Sequence, residues 1–121
     1  MKTKNLFFMN CYLAGRMYHE ADEVWEELKV GTKLKLISDS SNHFDPNAVA
    51  IIYEKSFTEE KEGIEAFLLG YIPKGANKVI AQFLEMGWNH IFECRISKIN
   101  PEAYYDNQIE LTIKIRRNLQ E

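Results

Sequence analysis

Residues 108–116 read Gln-Ile-Glu-Leu-Thr-Ile-Lys-Ile-Arg, which sets Ile109, Leu111, Ile113 and Ile115 against Glu110, Thr112, Lys114 and Arg116. A period of two is the signature of a β-strand with one buried and one wet face, and such a strand needs neighbours along both edges. The rest of the chain supplies them. Residues 5–13 carry apolar side chains on both parities, Leu6, Phe8 and Tyr12 against Phe7, Met9 and Leu13, as suits a strand covered on both faces. Residues 33–39 turn Leu34 and Leu36 inward and Lys33 and Lys35 outward, and residues 48–55 are a β-branched run. Residues 65–72 and 90–99 read as further strands, the latter with Phe92, Cys94 and Ile96 on one face.

Two segments change period. Ala21, Val24, Trp25 and Leu28 recur at helical spacing, Glu20, Asp22, Glu23, Glu26 and Glu27 fill the other side as a solvated face, and Gly31 follows. This spacing predicts a short amphipathic helix. Ala76, Val79, Ile80, Phe83 and Leu84 predict a second, closed by Gly87. The expected order is β-α-β-β-β-α-β-β. Six short, largely antiparallel strands leave open edges unless the sheet curls, so the expected fold is mainly β with two α-helices, a small six-stranded OB/SH3-like β-barrel or half-barrel. An open α+β sheet is the alternative. The charged stretch 57–63 reads as a mobile hairpin tip, and the corners at Gly15 and Gly75 are expected at one rim beside residues 41–47.

At 121 residues and 45% hydrophobic, the chain suits one domain. A net charge of −3 argues against a broad phosphate-neutralising face and leaves room for a small basic pocket. Cys11 and Cys94 lie in strand-like runs without metal-ligand spacing, so two reduced thiols are expected rather than a disulfide. With no signal segment and no apolar run of roughly 18 residues, a cytoplasmic protein without membrane contact is expected. His19, His43 and His90 show no ligand spacing, and no metal or other cofactor is expected. No Gly-x-Ser-x-Gly or phosphate-cradling loop is present, so the chain does not read as an enzyme. Asp39, Asp45 and His43 meeting at a rim as a weak metal-dependent nuclease is the lesser reading.

Residues 41–49, Ser-Asn-His-Phe-Asp-Pro-Asn-Ala-Val, pack turn formers, an aromatic and an acid between two strands. That composition predicts a rigid loop presenting polar groups, although alone it is also an ordinary turn. Four motifs in order then carry a family resemblance: Ala-Gly-Arg-Met-Tyr-His at 14–19, Val-Gly-Thr-Lys-Leu-Lys-Leu at 30–36, Asn-His-Phe-Asp-Pro-Asn-Ala-Val at 42–49 and Leu-Gly-Tyr-Ile-Pro-Lys at 69–74. Together, over about residues 7–115, the chain resembles the HIRAN domain.

The resemblance implies a small β-barrel with two helices, found alone in bacterial and phage proteins or fused to SWI/SNF-type helicases and nucleases. In an animal helicase-like member the domain captures the free 3′ end of single-stranded DNA, which helps drive fork reversal. It further implies that Tyr18 and Phe44 are aromatic faces for unpaired bases, Asp45 the acceptor of the terminal 3′ hydroxyl, Asn42 a polar contact to base or sugar, and Lys74 a phosphate ligand. Tyr71 stands where the animal member has histidine, and Arg16, His19 and Asn47, within the matched motifs, complete the nucleic-acid contacts that the resemblance implies. Phe44 replaces a tyrosine, and Arg16 stands one residue before the family's arginine, where Met17 sits, a slip that turns a side chain to the other face. The implied partners are single-stranded DNA or its 3′ ends and a helicase or nuclease; a protein-interaction module of a DNA-processing complex is the competing reading.

Each role has a plainer counterpart. Tyr18 and Phe44 are equally readable as core residues, Asp45 as a cap on the Asn47 or Ala48 amide, Lys74 as a solvated lysine, and Trp25 and Trp88 as core and helix-end packing.

Overall fold

The computed structural model describes residues 5–56 and 63–117. The expected hairpin tip at 57–63 therefore lies, but for Gly63, outside the described residues. Six strands form: β1 Leu6–Tyr12, β2 Lys33–Ser38, β3 Val49–Ser56, β4 Ile64–Tyr71, β5 Phe92–Ile99 and β6 Ile109–Ile115. They make one antiparallel sheet in the order β1-β6-β5-β2-β3-β4. The strictly alternating segment becomes β6, paired on both edges, with Ile109, Leu111 and Ile113 wholly buried. Val49, Ile51, Leu69, Cys94 and Ile96 join them in one core.

The ladder does not close into a barrel. β1 and β4 are its two edges, and they meet at one isolated bridge, Ala14↔Tyr71, where each residue donates its N–H to the other's carbonyl at 2.9 Å. For the ends of a six-stranded sheet to touch, the sheet must curl, so the architecture is a curled sheet pinned at one rim. Gly70 makes the pin possible. A Cβ there would collide with the Ala14 carbonyl oxygen and press on the Leu13 side chain.

The helix expected over residues 20–30 does not form. Its place is taken by separate 3-10 turns at Ala21–Glu23 and Trp25–Glu27, preceded by another at Arg16–Tyr18. The cause is capture by a strand edge. Glu20 donates its N–H to Leu68 O and accepts Leu68 N–H on its carboxylate, both at 2.8 Å, and Val24 leaves helical geometry at φ −127°. The apolar spacing still does its work, because Ala21, Val24 and Leu28 are buried. The second expected helix is present as α1, Lys78–Glu85, with Ile80, Ala81 and Leu84 on the core. Among the described residues no helix is long and apolar enough to cross a membrane. Both cysteines are free, and burial pushes Cys11 up to about 11 and Cys94 up to about 12.

The close approach at the pin predicts that Gly70→Ala lowers stability by about 1–3 kcal/mol through overpacking. Urea unfolding measures it; an unchanged midpoint would show that the pin does not hold the sheet curled.

Candidate functional site

At the pinned rim the chain makes a cleft of about 280 Å³, lined by Ala14 and Gly15, by Asn42, Phe44, Asp45 and Ala48, and by Tyr71, Ile72 and Lys74. Gly15 turns there at φ +74°, a conformation that L side chains rarely adopt. The two corners and the loop thus share one rim, as their spacing led us to expect.

The loop between β2 and β3 is held from within. Asn42 Oδ1 accepts the N–H groups of Phe44 at 2.8 Å and Asp45 at 3.1 Å, while Ala48 N–H donates to Asp45 O at 3.1 Å. Asp39 ties it to β4: its Oδ1 accepts the Ser41 hydroxyl at 3.2 Å, and its Oδ2 accepts the Tyr71 hydroxyl at 3.0 Å. Burial, and then the bond to and charge of Asp39, raise the pKa of Tyr71, so this phenol stays protonated.

Asp45 caps its own loop and is also anchored from outside it. Its Oδ1 accepts Asn47 N–H at 2.9 Å, and its Oδ2 accepts the side-chain amide of Asn77 at 2.8 Å. Those two bonds, with the nearby Lys74 ammonium, hold the carboxyl below its ordinary 3.8, so it is ionised at neutral pH. Two bonds do not exhaust it. An ionised carboxylate has about four acceptor positions, so each oxygen keeps a free lone pair for a ligand donor.

The aromatics stand in water. Phe44 is 90% exposed and Tyr18 77% exposed, which removes the plain reading of either as a core anchor. Tyr18 sits on the 3-10 turn that leaves Gly15, outside the cleft lining, and the His19 ring lies 5.4 Å from that of Tyr71. Asn47 contributes its backbone as the cap of Asp45. Lys74 is exposed on the cleft wall.

Arg16 is not brought to the cleft. It is 5% exposed, its Nη2 bonds Asp22 at 2.7 Å, and its guanidinium lies 4.2 Å from the Trp25 ring centre and 5.4 Å from that of Tyr105. The 3-10 turn that follows Gly15 carries this side chain into the body of the protein, where Gly15 N–H also donates to Asp106 Oδ1 at 3.2 Å. Arg16 thereby staples the Gly15 corner to the loop between β5 and β6. Trp25 packs against the core as expected, and Trp88, 53% exposed, follows the end of α1 with its main-chain N–H on Phe83 O.

Two residues at the site escaped sequence reasoning in these roles. Asn77 is 3% exposed and precedes α1, where an asparagine is normally read as a helix cap; here its amide makes no cap bond and orients Asp45 instead. Asp39, in sequence a candidate metal acid, instead positions Tyr71. Among the described residues no group of three or more His, Cys, Asp or Glu side chains is arranged to hold a metal ion.

The model of the HIRAN domain matches residues 6–116. A Fanconi-associated nuclease 1 homolog from Oryza sativa subsp. japonica is 28% identical over 106 residues, which is 87% of this chain and 10% of that protein. The chain thus spans about a tenth of the length of this curated relative. A crystal structure of a protein from Lactobacillus plantarum superposes with a TM-score of 0.68 at 18% identity, covering 96% of this chain and 100% of the other, and so shares the fold.

The Asn77 anchor predicts a titration. A depressed carboxyl contributes stability that is present above its ordinary value and lost as pH falls through the native one. The Asp45 carboxyl carbon, followed by NMR, should therefore titrate below 3.8, and Asn77→Ala should move the midpoint upward. An unmoved midpoint would mean that the Asn47 amide and the Lys74 charge set it without Asn77.

Proposed function

The chain belongs to the HIRAN domain family, a nucleic-acid-binding family, and from that premise we propose that it is a non-catalytic module that holds single-stranded DNA at a free 3′ hydroxyl. The supporting observation is that Asn42, Phe44, Asp45, Tyr71 and Lys74 converge on one cleft. An ionised carboxylate with spare lone pairs accepts a terminal hydroxyl and repels a terminal phosphate, so Asp45 distinguishes an end from an internal linkage. Lys74, close enough to Asp45 to favour its ionised form, takes the neighbouring phosphodiester. The exposed faces of Phe44 and Tyr18 stack on unpaired bases, each worth about 1–3 kcal/mol.

The site suits a short end rather than a long track of phosphates, in keeping with a chain of net charge −3. The work falls in DNA repair or replication-fork processing, alongside a helicase or nuclease partner, in the cytoplasm where free thiols stay reduced. Similarity to a nuclease homolog supports the DNA-processing setting.

End chemistry tests the proposal. Fluorescence anisotropy should show an oligonucleotide ending in a 3′ hydroxyl bound at least about ten-fold more tightly than the same strand ending in a 3′ phosphate, and Asp45→Ala should abolish the preference. Lys74→Ala should weaken both and flatten the logarithmic salt dependence by about 0.7. Equal curves for the two ends would refute end recognition.

A further inference from the structure

β2 and β5 part company early. They share Lys33↔Arg95 and Leu34↔Cys94, whereas β2 pairs with β3 from Lys35 to Ser38. Successive residues of an antiparallel strand turn their main-chain groups to opposite edges. Thr32 O accepts Ile96 N–H on the β5 side, and Asp39 N–H donates to Ala48 O on the β3 side. By that alternation Leu36 directs its N–H and C=O away from β3, into the space that β5 has left.

That space is a groove of about 330 Å³ walled by Lys33, Lys35, Leu36, Ile52, His90 and Arg116. Through Asn89, His90 and Arg116 it runs on into a second of about 340 Å³ beside Trp88 and Arg117. Four cations, Lys33, Lys35, Arg116 and Arg117, face this run against one carboxylate, Glu54, itself 3.6 Å from Lys35. In a chain of net charge −3 this is a local reversal of sign, set beside the gap that β5 leaves at Leu36 and a half-exposed tryptophan.

We infer that this groove docks an extended acidic peptide segment of a partner protein, added as a strand beside Leu36 with its carboxylates on Lys33, Lys35 and Arg116 and an apolar side chain against Trp88. The main-chain groups that Leu36 turns into the gap favour a peptide over a nucleic acid. A peptide backbone answers an exposed N–H and C=O in kind, whereas a nucleic-acid backbone carries no amide donor. The basic rim selects acidic segments and steers their approach. The site is independent of the cleft at Asp45.

The test uses the full chain, isotopically labelled for NMR, and a blocked peptide of roughly eight residues, an ordinary strand length, alternating glutamate and valine. The Leu36 amide and the Trp88 indole N–H should shift with this peptide and not with its lysine–valine counterpart. Lys35→Glu and Arg116→Glu should each weaken binding at least about ten-fold while leaving 3′-hydroxyl oligonucleotide binding unchanged. Shifts of equal size from the lysine peptide, no shift at Leu36 from the acidic one, or shifts there from an oligonucleotide alone would each overturn the inference.

Discussion

The bridge between Ala14 and Tyr71 is the contact on which the geometry of this protein turns. Two main-chain hydrogen bonds join the first and last strands of an open order of six, and the absence of a side chain at Gly70 lets the backbones approach. Both partners of the bridge then line the cleft. Ala14 leads directly into the left-handed turn at Gly15, and Tyr71 leads through Ile72 to Lys74. A curled sheet otherwise leaves two unpaired edges, and here one pinned point converts an edge liability into a rim where three segments distant in sequence converge.

The loop that supplies Asn42, Phe44 and Asp45 to the cleft is held because its side chains satisfy its own backbone. Asn42 takes two amides, Asp45 takes one, and Asp39 reaches across to Tyr71. Such a loop loses little conformational freedom on meeting a ligand, which favours affinity from few contacts. Asp45 shows how one group serves structure and recognition together: it caps the turn with one lone pair of Oδ1, takes the Asn77 amide on one of Oδ2, and keeps the others free. The Asn47 backbone amide, the Asn77 side-chain amide and the Lys74 charge keep it ionised, the form in which a hydroxyl is welcome and a phosphate is not.

Some of this was legible in the chain and some was not, for reasons visible in particular residues. The strand at Ile109–Ile115 was evident because period two with β-branched residues has one reading, and the motif residues of 42–49 and 69–74 did come together. Residues 20–30 misled because the spacing of Ala21, Val24 and Leu28 buries one face equally well as a helix or as successive 3-10 turns; the Leu68 edge decided between them. Arg16 was placed among the ligand contacts by its motif, and only the packing of Trp25 and Tyr105 around it showed a staple.

The sequence by itself determined the six strands, the α-helix at Lys78–Glu85 and the family, because alternation, helical spacing and four ordered motifs are local properties. Tertiary structure alone decided that the sheet stays open and pinned, that Phe44 and Tyr18 face water, that Asn77 orients Asp45, and that Arg16 turns inward to Asp22. It also decided that β2 and β5 diverge to leave a basic groove. These outcomes depend on which segments meet across long sequence separations, and no local pattern carries that information.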